Sequence, residues 1–374
     1  MRYRHFITAI CAVLLLVGCS KLVFKKDAEA IRSEWPQFGK NAQHTRESDV
    51  AFQFPLKLKW MHKASAGVNQ SLISVNDAVI FGTKDGRIEG VNLDSGDKFG
   101  QIKIRGNFSA TAMYHLENLF YILQISQPTV TRYNIKSGDT VWKKNASPLV
   151  TEPLIADDVV YIAELNGNVK GYAFADGAEV WKTKLKSQIH STPAYSNGYL
   201  LIGDDAGVLH AFDQQAEKIW EFKTQTAIYA TPVISDNTVY VCSTDGTFSA
   251  VDLKTGKQVF VFATKNKLYN GAAISDDKVI FGSTDRNVYC LNKDTGKLLW
   301  KFAAESVIST APVISQNAVF IGCMDKKLYA LSLDSGELLW SFEADGRIQS
   351  DPIIVNNLLL FASEDNRVYC FEQG

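Results

Sequence analysis

The chain has 374 residues, of which 46% are hydrophobic, and it contains 21 Phe, 14 Tyr and 7 Trp. This composition supports a large apolar core and excludes a disordered chain. Its 39 basic and 40 acidic residues give a formal charge of -1, so the sequence lacks the basic footprint of a nucleic-acid-binding protein.

The N-terminus has the pattern of a secretory signal. Basic residues at Arg2 and Arg4 precede an apolar run over residues 6–17, which is short for a bilayer span. We therefore expect this run to direct export and to be absent from the folded domain.

The apolar run ends in Leu-Val-Gly-Cys at residues 16–19. This ending resembles the bacterial lipobox, whose cysteine becomes lipidated and N-terminal after cleavage, and Ser20 resembles the outer-membrane sorting signal of Gram-negative lipoproteins. The alternative is an ordinary signal peptide in which Cys19 is incidental. The predicted organisation is a lipoprotein signal peptide over residues 1–18, a lipidated N-terminus and tether over 19–34, and a single folded domain over 35–374.

A short motif recurs along most of the chain at a nearly fixed interval. Its clearest copy is Asp-Thr-Gly-Lys-Leu-Leu-Trp at residues 294–300, and the steps between successive copies are 39 to 42 residues. A period near 40 residues is typical of propeller blades and of helical solenoids. An aromatic residue four positions after the glycine marks most copies, and an outlying Trp60 precedes them. We predict that these aromatics pack between blades: Trp60, Trp142, Trp181, Trp220, Phe260, Trp300 and Trp340.

The pattern inside each repeat favours a propeller. In the clearest repeat, residues 231–235, 238–242, 248–252 and 258–261 are short β-rich runs separated by Asp-Asn, Asp-Gly and Thr-Gly signals. These signals suit the tight turns of antiparallel hairpins. Each repeat is therefore predicted to be a four-stranded antiparallel sheet.

The last repeat begins at Asp351 and stops at Gly374, before any fourth strand. We predict that residues 56–60 supply the missing strand. The fold class is thus predicted to be all-β, an eight-bladed β-propeller closed by pairing of an N-terminal strand with the last blade. The second repeat departs from the pattern, because residues 124–129 replace its Asp-Gly turn and lengthen it by two residues.

Four cysteines lie in the repeats. Cys290 and Cys370 occupy a position that Ala holds in other repeats, which favours buried free thiols. Disulfides between Cys242 and Cys290 and between Cys323 and Cys370 stay open as an alternative, on matched separations of 48 and 47 residues.

The repeat at residues 290–300 resembles the repeat of PQQ-like, quinoprotein-type β-propellers, and Trp-Pro-Gln-Phe-Gly at 35–39 resembles the segment that covers a sheet edge in them. Enzymes of that class hold the quinone with calcium, a catalytic Asp and commonly an adjacent-cysteine disulfide. This chain has no Cys-Cys pair, its Asp residues fall mostly at turn tips, and its six His lack metal-ligand spacing. We predict no catalytic residue, no metal and no cofactor. The alternative is a periplasmic oxidoreductase or sensor that binds PQQ or a small molecule.

A lipobox, a tether and an eight-bladed propeller of this size together resemble the BamB family of outer-membrane protein assembly factors. The resemblance implies a non-enzymatic, lipid-anchored periplasmic scaffold whose partner is the outer-membrane β-barrel insertase complex. A known member carries a longer mid-chain loop, with Leu and Arg, that contacts the insertase. The corresponding stretch here, residues 184–190, is short, so no partner-binding residue is transferred from it. A surface-exposed binding protein is a third hypothesis.

Residues at the start of each inner strand are the candidates for partner binding, because they line one mouth of the central channel. The set is mixed and mostly uncharged, which suits a protein or peptide better than an anionic ligand; a solvated funnel is the alternative. The candidate partner-binding rim comprises Phe108, Glu152, His190, Tyr229, Asn270, Gln349 and Asp351.

Overall fold

The computed structural model describes residues 35–68, 71–103, 113–115, 118–123, 129–134 and 137–374, with the backbone alone for 113–115 and 118–123. Within these residues no helix is long and apolar enough to span a bilayer. The predicted signal peptide, the tether and the lipid-anchor residue Cys19 lie outside the described part of the chain.

Short runs of β-branched and aromatic residues form the strands, and Asp, Asn and Gly residues form the turns between them. Consecutive strands pair antiparallel in groups of four, which confirms the predicted four-stranded blades. In the first half of the chain the strands are β1 (Leu56–Lys63), β2 (Ile73–Val75), β3 (Ala78–Thr83), β4 (Arg87–Asn92), β5 (Lys98–Lys103), β6 (Met113–His115), β7 (Asn118–Leu123), β8 (Thr129–Asn134), β9 (Asp139–Asn145), β10 (Leu154–Ala156), β11 (Val159–Ala163), β12 (Asn168–Ala173), β13 (Glu179–Lys184), β14 (Ala194–Ser196), β15 (Tyr199–Gly203), β16 (Val208–Phe212) and β17 (Lys218–Lys223).

The second half repeats the same unit. The first strand of each group lies at one edge of its sheet and the fourth at the other, apart from the last group, to which β1 adds. The strands are β18 (Val233–Ser235), β19 (Thr238–Cys242), β20 (Thr247–Asp252), β21 (Gln258–Ala263), β22 (Ala273–Ile274), β23 (Lys278–Gly282), β24 (Asn287–Asn292), β25 (Leu298–Ala303), β26 (Val313–Ile314), β27 (Ala318–Gly322), β28 (Lys327–Ser332), β29 (Leu338–Glu343), β30 (Ile353–Val355), β31 (Leu358–Ser363) and β32 (Arg367–Gln373).

The N-terminal strand completes the last sheet, whose order is β1-β32-β31-β30. Strand β1 pairs antiparallel with β32 from Leu56 opposite Gln373 to Lys63 opposite Arg367, with a bulge between Leu58 and Trp60. The first and last parts of the chain are therefore joined in one hydrogen-bonded sheet.

The predicted count of eight blades needs correction. Hydrogen bonding groups the described strands into eight four-stranded sheets. Seven of these are blades described with all their side chains, whereas in the β6–β9 sheet no side chains are described for β6 and β7. This sheet corresponds to the repeat that departs from the others in sequence, with residues 124–129 in place of the Asp-Gly pair. Seven regular blades are what the structure supports.

The segment before β1 follows the inner strands of successive sheets. Trp35 forms an isolated bridge with Ser74 of the first sheet, and Glu47 forms one with Ile314 of β26. Inner-strand backbone N–H groups donate to carbonyls of this segment: Ser74 to Trp35, Tyr195 to Ala42, Ile234 to Gln43, Ile274 to Thr45 and Ile314 to Arg46. The segment thus covers the inner sheet edges, as the resemblance implied for residues 35–39, and extends this role to most of the ring.

The core lies between neighbouring sheets. One apolar cluster, for example, joins Leu154, Tyr161 and Trp181 of the β10–β13 sheet to Tyr195 and Phe212 of the next. The repeated aromatic residues all lie on outer strands at or near such contacts. Trp60, Trp142, Trp181, Trp220 and Trp300 are buried, whereas Phe260 and Trp340 are partly buried.

Candidate partner-binding rim

Two of the candidate rim residues are buried between sheets. The Asp351 carboxylate forms an ion pair with Arg46 (Nη1 to Oδ2, 2.7 Å) and accepts the Ala311 N–H at 2.9 Å. Burial raises the pKa of the Asp351 carboxyl above its usual value, and the Arg46 charge opposes that rise. The Glu152 side chain is also buried, and its backbone N–H donates to Thr192 Oγ1 of the next sheet at 3.0 Å. Both residues therefore connect separate parts of the fold instead of facing solvent.

His190 and Tyr229 lie together on the surface. Their rings are 4.9 Å apart, and Tyr229 is in turn stacked on Tyr269, with ring centroids 6.2 Å apart at 21°. Tyr229 and Tyr269 are exposed, and the His190 side chain is partly exposed. The three rings form a continuous aromatic row across three successive sheets.

The remaining candidates lie apart from this row or beside it. Asn270 is partly buried and directly follows Tyr269. Gln349 is exposed and lines a polar cleft with Lys84 and Glu364. Phe108 lies outside the described residues.

The row has a simple register in the repeat. Each of its members directly follows a buried aliphatic residue: Ile189 before His190, Ile228 before Tyr229 and Leu268 before Tyr269. Val150, which follows the buried Leu149, occupies the same position one sheet earlier and is exposed. We call Val150, His190, Tyr229 and Tyr269 the rim strip.

Backbone hydrogen bonds hold the strip in place. The Ile228 N–H donates to the Asp204 carbonyl at 3.0 Å, and the Thr244 N–H donates to the Ala227 carbonyl at 3.0 Å. The loop that carries Tyr229 is thereby fixed to hairpin turns on two sides. The buried aliphatic residue anchors the loop in the core, so the next side chain points outward.

Electrostatics orient the histidine of the strip. His190 Nδ1 lies 2.9 Å and 3.0 Å from the two carboxylate oxygens of Asp205. At the other end, the Lys267 ammonium lies 5.9 Å from the Tyr269 ring centroid. The strip can stack, pack and hydrogen-bond against a partner.

Sequence reasoning missed Val150 and Tyr269. It chose the residues next to the start of each inner strand, which placed the candidate at Glu152 in one repeat and at Asn270 in another. The signal that identifies them is the single buried aliphatic residue before each, which sets a common register across repeats.

The cysteines are free thiols in the described part of the chain. Cys242, Cys290, Cys323 and Cys370 are all buried and unpaired with one another. Burial raises the pKa of each thiol, to about 12 for Cys290, Cys323 and Cys370. Among the described residues, no group of three or more His, Cys, Asp or Glu side chains is arranged to hold a metal ion.

These features define a β-propeller with an aromatic strip exposed at the start of its inner strands. A family model described as outer membrane protein assembly factor BamB matches residues 56–169, 165–300, 263–322 and 284–374. The chain belongs to this family, which confirms the resemblance seen in its repeats.

Known proteins show the same relation. A BamB from Francisella salina is 27% identical over 155 residues, which cover 39% of this chain and 30% of that protein. The matched part of this chain thus spans about a third of that relative's length. The structure of BamB from Moraxella catarrhalis superposes with a TM-score of 0.73 at 20% identity, over 85% of this chain and 100% of that one.

The fold is also shared with enzymes. Quinohemoprotein alcohol dehydrogenase from Comamonas testosteroni superposes with a TM-score of 0.77 at 11% identity, over 90% of this chain and 80% of that one. At this identity the likeness concerns the fold alone, because one fold supports many functions.

Proposed function

We propose that this protein is a non-enzymatic, lipid-anchored periplasmic scaffold that holds a protein partner in the assembly of outer-membrane β-barrel proteins. The partner proposed is the barrel insertase complex, and the surface that binds it is the rim strip. The anchor is Cys19, at the end of the lipobox.

The observation that carries this proposal is the exposure of stacked rings in successive sheets. Large aromatic side chains are usually buried, and contiguous exposed ones are typical of protein interfaces. Tyrosine suits this role because its ring packs while its hydroxyl stays hydrogen-bonded to water or to a partner. Tyr229 and Tyr269 are 36% and 41% exposed, so a partner would remove substantial apolar surface from water.

The family supports the same role. Its printed description is that of an assembly factor for outer membrane proteins, and the matched segments cover the chain from residue 56 to residue 374. Family membership supports a role in outer-membrane protein assembly, and the rim strip is the surface proposed to bind the partner.

Site-specific crosslinking in cells tests the proposal. A photoreactive amino acid is placed at position 229 of the full-length lipoprotein, and captured proteins are identified by mass spectrometry. The matched control places the same group at Gln349, which also follows a buried aliphatic residue, Ile348, but has no aromatic neighbour in the strip. We expect capture of the insertase from position 229 well above capture from position 349.

Two further measurements make the outcome decisive. Tyr229→Ala combined with Tyr269→Ala should lower recovery of the insertase by about tenfold, which corresponds to the loss of an aromatic hot spot of about 1.4 kcal/mol. Cys19→Ala should lower it through loss of the anchor. Equal capture from both positions, or binding of quinone and calcium by the purified protein without any insertase contact, would contradict the scaffold function and favour the oxidoreductase or sensor.

A further inference from the structure

Strand β21 differs from every other outer strand in its charge. Its sequence, Gln-Val-Phe-Val-Phe-Ala over residues 258–263, contains no charged side chain. The other outer strands each carry at least one Lys, Asp or Glu: β1, β5, β9, β13, β17, β25 and β29.

The missing charge corresponds to one position of the repeat, which Val261 occupies in β21. Val261 pairs with Ser249 of the third strand, and the residues in the same register of other sheets are mostly charged. These equivalents are Lys143, Lys182, Glu221 and Lys301. Charged side chains on edge strands block unwanted pairing, so β21 lacks the protection that its neighbours have.

The apolar side chains of β21 are accessible. Val259 and Val261 are each 52% exposed, and they alternate with the partly buried Phe260 and Phe262. The strand ends its sheet, in the order β18-β19-β20-β21. Its outer side therefore presents backbone N–H and C=O groups to a further strand, beside two exposed valines.

The ends of the strand carry positive charge. Lys254 and Lys257 precede it and Lys265 follows it, and all three are exposed. A second copy of β21 would bring lysines against lysines, which is unfavourable. A strand with acidic residues at its ends would instead match this pattern.

We infer that β21 is a docking edge for an extended apolar segment of another polypeptide, flanked by acidic residues, which adds to the sheet as a fifth strand. Main-chain hydrogen bonds supply the affinity, the valines select apolar side chains, and the lysines select the acidic flanks. This inference goes beyond the proposed function and does not depend on it, because it rests on the outer strand β21, whereas the rim strip consists of loop residues that precede the inner strands.

Peptide binding to the purified full-length lipoprotein in detergent tests the inference. The probe is a dye-labelled synthetic peptide of alternating Val and Thr between terminal Glu residues, followed by fluorescence anisotropy. We expect saturable binding, lost when a proline replaces the central residue and weakened when Lys replaces the terminal Glu. A β-pairing mode requires this proline sensitivity, since proline cannot donate to the ladder.

Val261→Lys is the main variant, and Val180→Lys is its control, at a valine of similar exposure (55%) on the outer strand β13. Lysine already occupies the Val261 register in other sheets, so this change is compatible with the fold. Val261→Lys should weaken peptide binding roughly tenfold, and Val180→Lys should leave it unchanged. Thermal unfolding of both variants checks that each is folded.

Lys257→Glu combined with Lys265→Glu gives a second readout at exposed positions. This variant should prefer the Lys-flanked peptide over the Glu-flanked one. No peptide binding, equal weakening by Val261→Lys and Val180→Lys, or unchanged binding of the proline peptide would overturn the inference. Self-association in sedimentation experiments that Val261→Lys abolishes would overturn it too, because a second copy would then be the occupant.

Discussion

At the scale of single residues, a glycine and an aromatic ring form the contact between blades. A Cβ built on Gly256 would lie 2.7 Å from Cδ2 of Trp220, and the Trp220 indole N–H donates to the Leu253 carbonyl at 2.8 Å. The same ring therefore packs on the next blade's turn and hydrogen-bonds to it. Gly96 with Trp60, Gly177 with Trp142 and Gly336 with Trp300 repeat the contact.

Gly256→Ala should be strongly destabilising. The residue has φ +68°, so alanine would suffer backbone strain of about 1–2 kcal/mol, and its methyl group would displace the Trp220 ring at a further cost of about 1–3 kcal/mol. Chemical denaturation of the two proteins measures the sum.

Gly198→Ala is the matched control for this prediction. Gly198 has φ +82°, but a Cβ there would lie 4.0 Å from the nearest side-chain atoms, which are in Gln214. Only the backbone strain should appear, about 1–2 kcal/mol. Equal losses for the two variants would show that the ring contact contributes nothing.

At the scale of elements, the segment before β1 is held to the sheets by a buried histidine. His44 Nδ1 lies 2.9 Å from the Phe38 carbonyl oxygen, and Nε2 lies 3.0 Å from the Pro193 carbonyl oxygen. A neutral imidazole has one N–H and can donate to only one of the two. The two carbonyl contacts favour the protonated ring and so raise the pKa of His44. Burial outweighs them and lowers this pKa from 6.5 to about 4, with a smaller contribution from the charge of Arg46.

The protonation of His44 should therefore make the protein less stable as the pH is lowered. The unfolded chain binds the His44 proton more tightly than the folded chain, so the contribution of neutral His44 is fully present above about pH 6.5 and is lost as pH falls toward 4. The expected loss is about 3 kcal/mol in the free energy of unfolding, because each unit of pKa corresponds to about 1.4 kcal/mol.

The measurement compares the unfolding free energies of the unmodified protein and His44→Gln across this range of pH. Both proteins share the remaining carboxylates, including Asp351, so the difference isolates His44. We expect the difference between them to shrink by about 3 kcal/mol as pH falls from 6.5 to 4. A difference that stays constant with pH would contradict the assignment.

At the scale of the whole molecule, the ring is closed by hydrogen bonds and side chains rather than by chain continuity. Strand β1 meets β32 far along the sequence, whereas the other described sheets use consecutive strands. Lys59 adds ion pairs with Glu372 at 2.8 Å and with Asp94 of the first sheet at 2.9 Å. Trp60 packs on Gly96 and donates to the Leu93 carbonyl, so β1 joins the last sheet to the first.

Trp60→Ala should open this closure. The loss of a buried tryptophan costs about 3–5 kcal/mol, and here no connecting turn keeps β1 beside β32. Hydrogen exchange of the β1 and β32 amides should become at least about tenfold faster. The control is Trp220→Ala, which removes an equivalent ring from β17 but leaves the β16–β17 hairpin turn in place. If the β16 and β17 amides of Trp220→Ala exchanged as much faster as the β1 and β32 amides of Trp60→Ala, closure of the ring would depend on no special contact of β1.

Much of the fold could be predicted from the sequence because it depends on local signals. Short β-rich runs, Asp-Gly and Thr-Gly turns and the period near 40 residues predicted four-stranded antiparallel sheets, and the missing fourth strand of the last repeat indicated residues 56–60. The count of eight blades was the weak point, since the second repeat has residues 124–129 in place of the Asp-Gly pair and departs from the sequence pattern on which the count depended.

The candidate site was only partly predictable because exposure depends on contacts between distant parts of the chain. Glu152 and Asp351 looked like rim residues, yet both are buried, and Asp351 forms an ion pair with Arg46, which lies 305 positions away in the sequence. Tyr269 was overlooked because its register against Leu268 becomes visible only when burial is known.

By itself, the sequence determined the repeat, the strands, the turns and the family, since each follows from residues close together in the chain. Only the tertiary structure decided which glycine touches which ring, that the segment over residues 35–52 covers the inner strands, and that His190, Tyr229 and Tyr269 form one exposed row. These features arise where separate blades meet, and the packing of one blade on the next is a long-range property that no local pattern encodes.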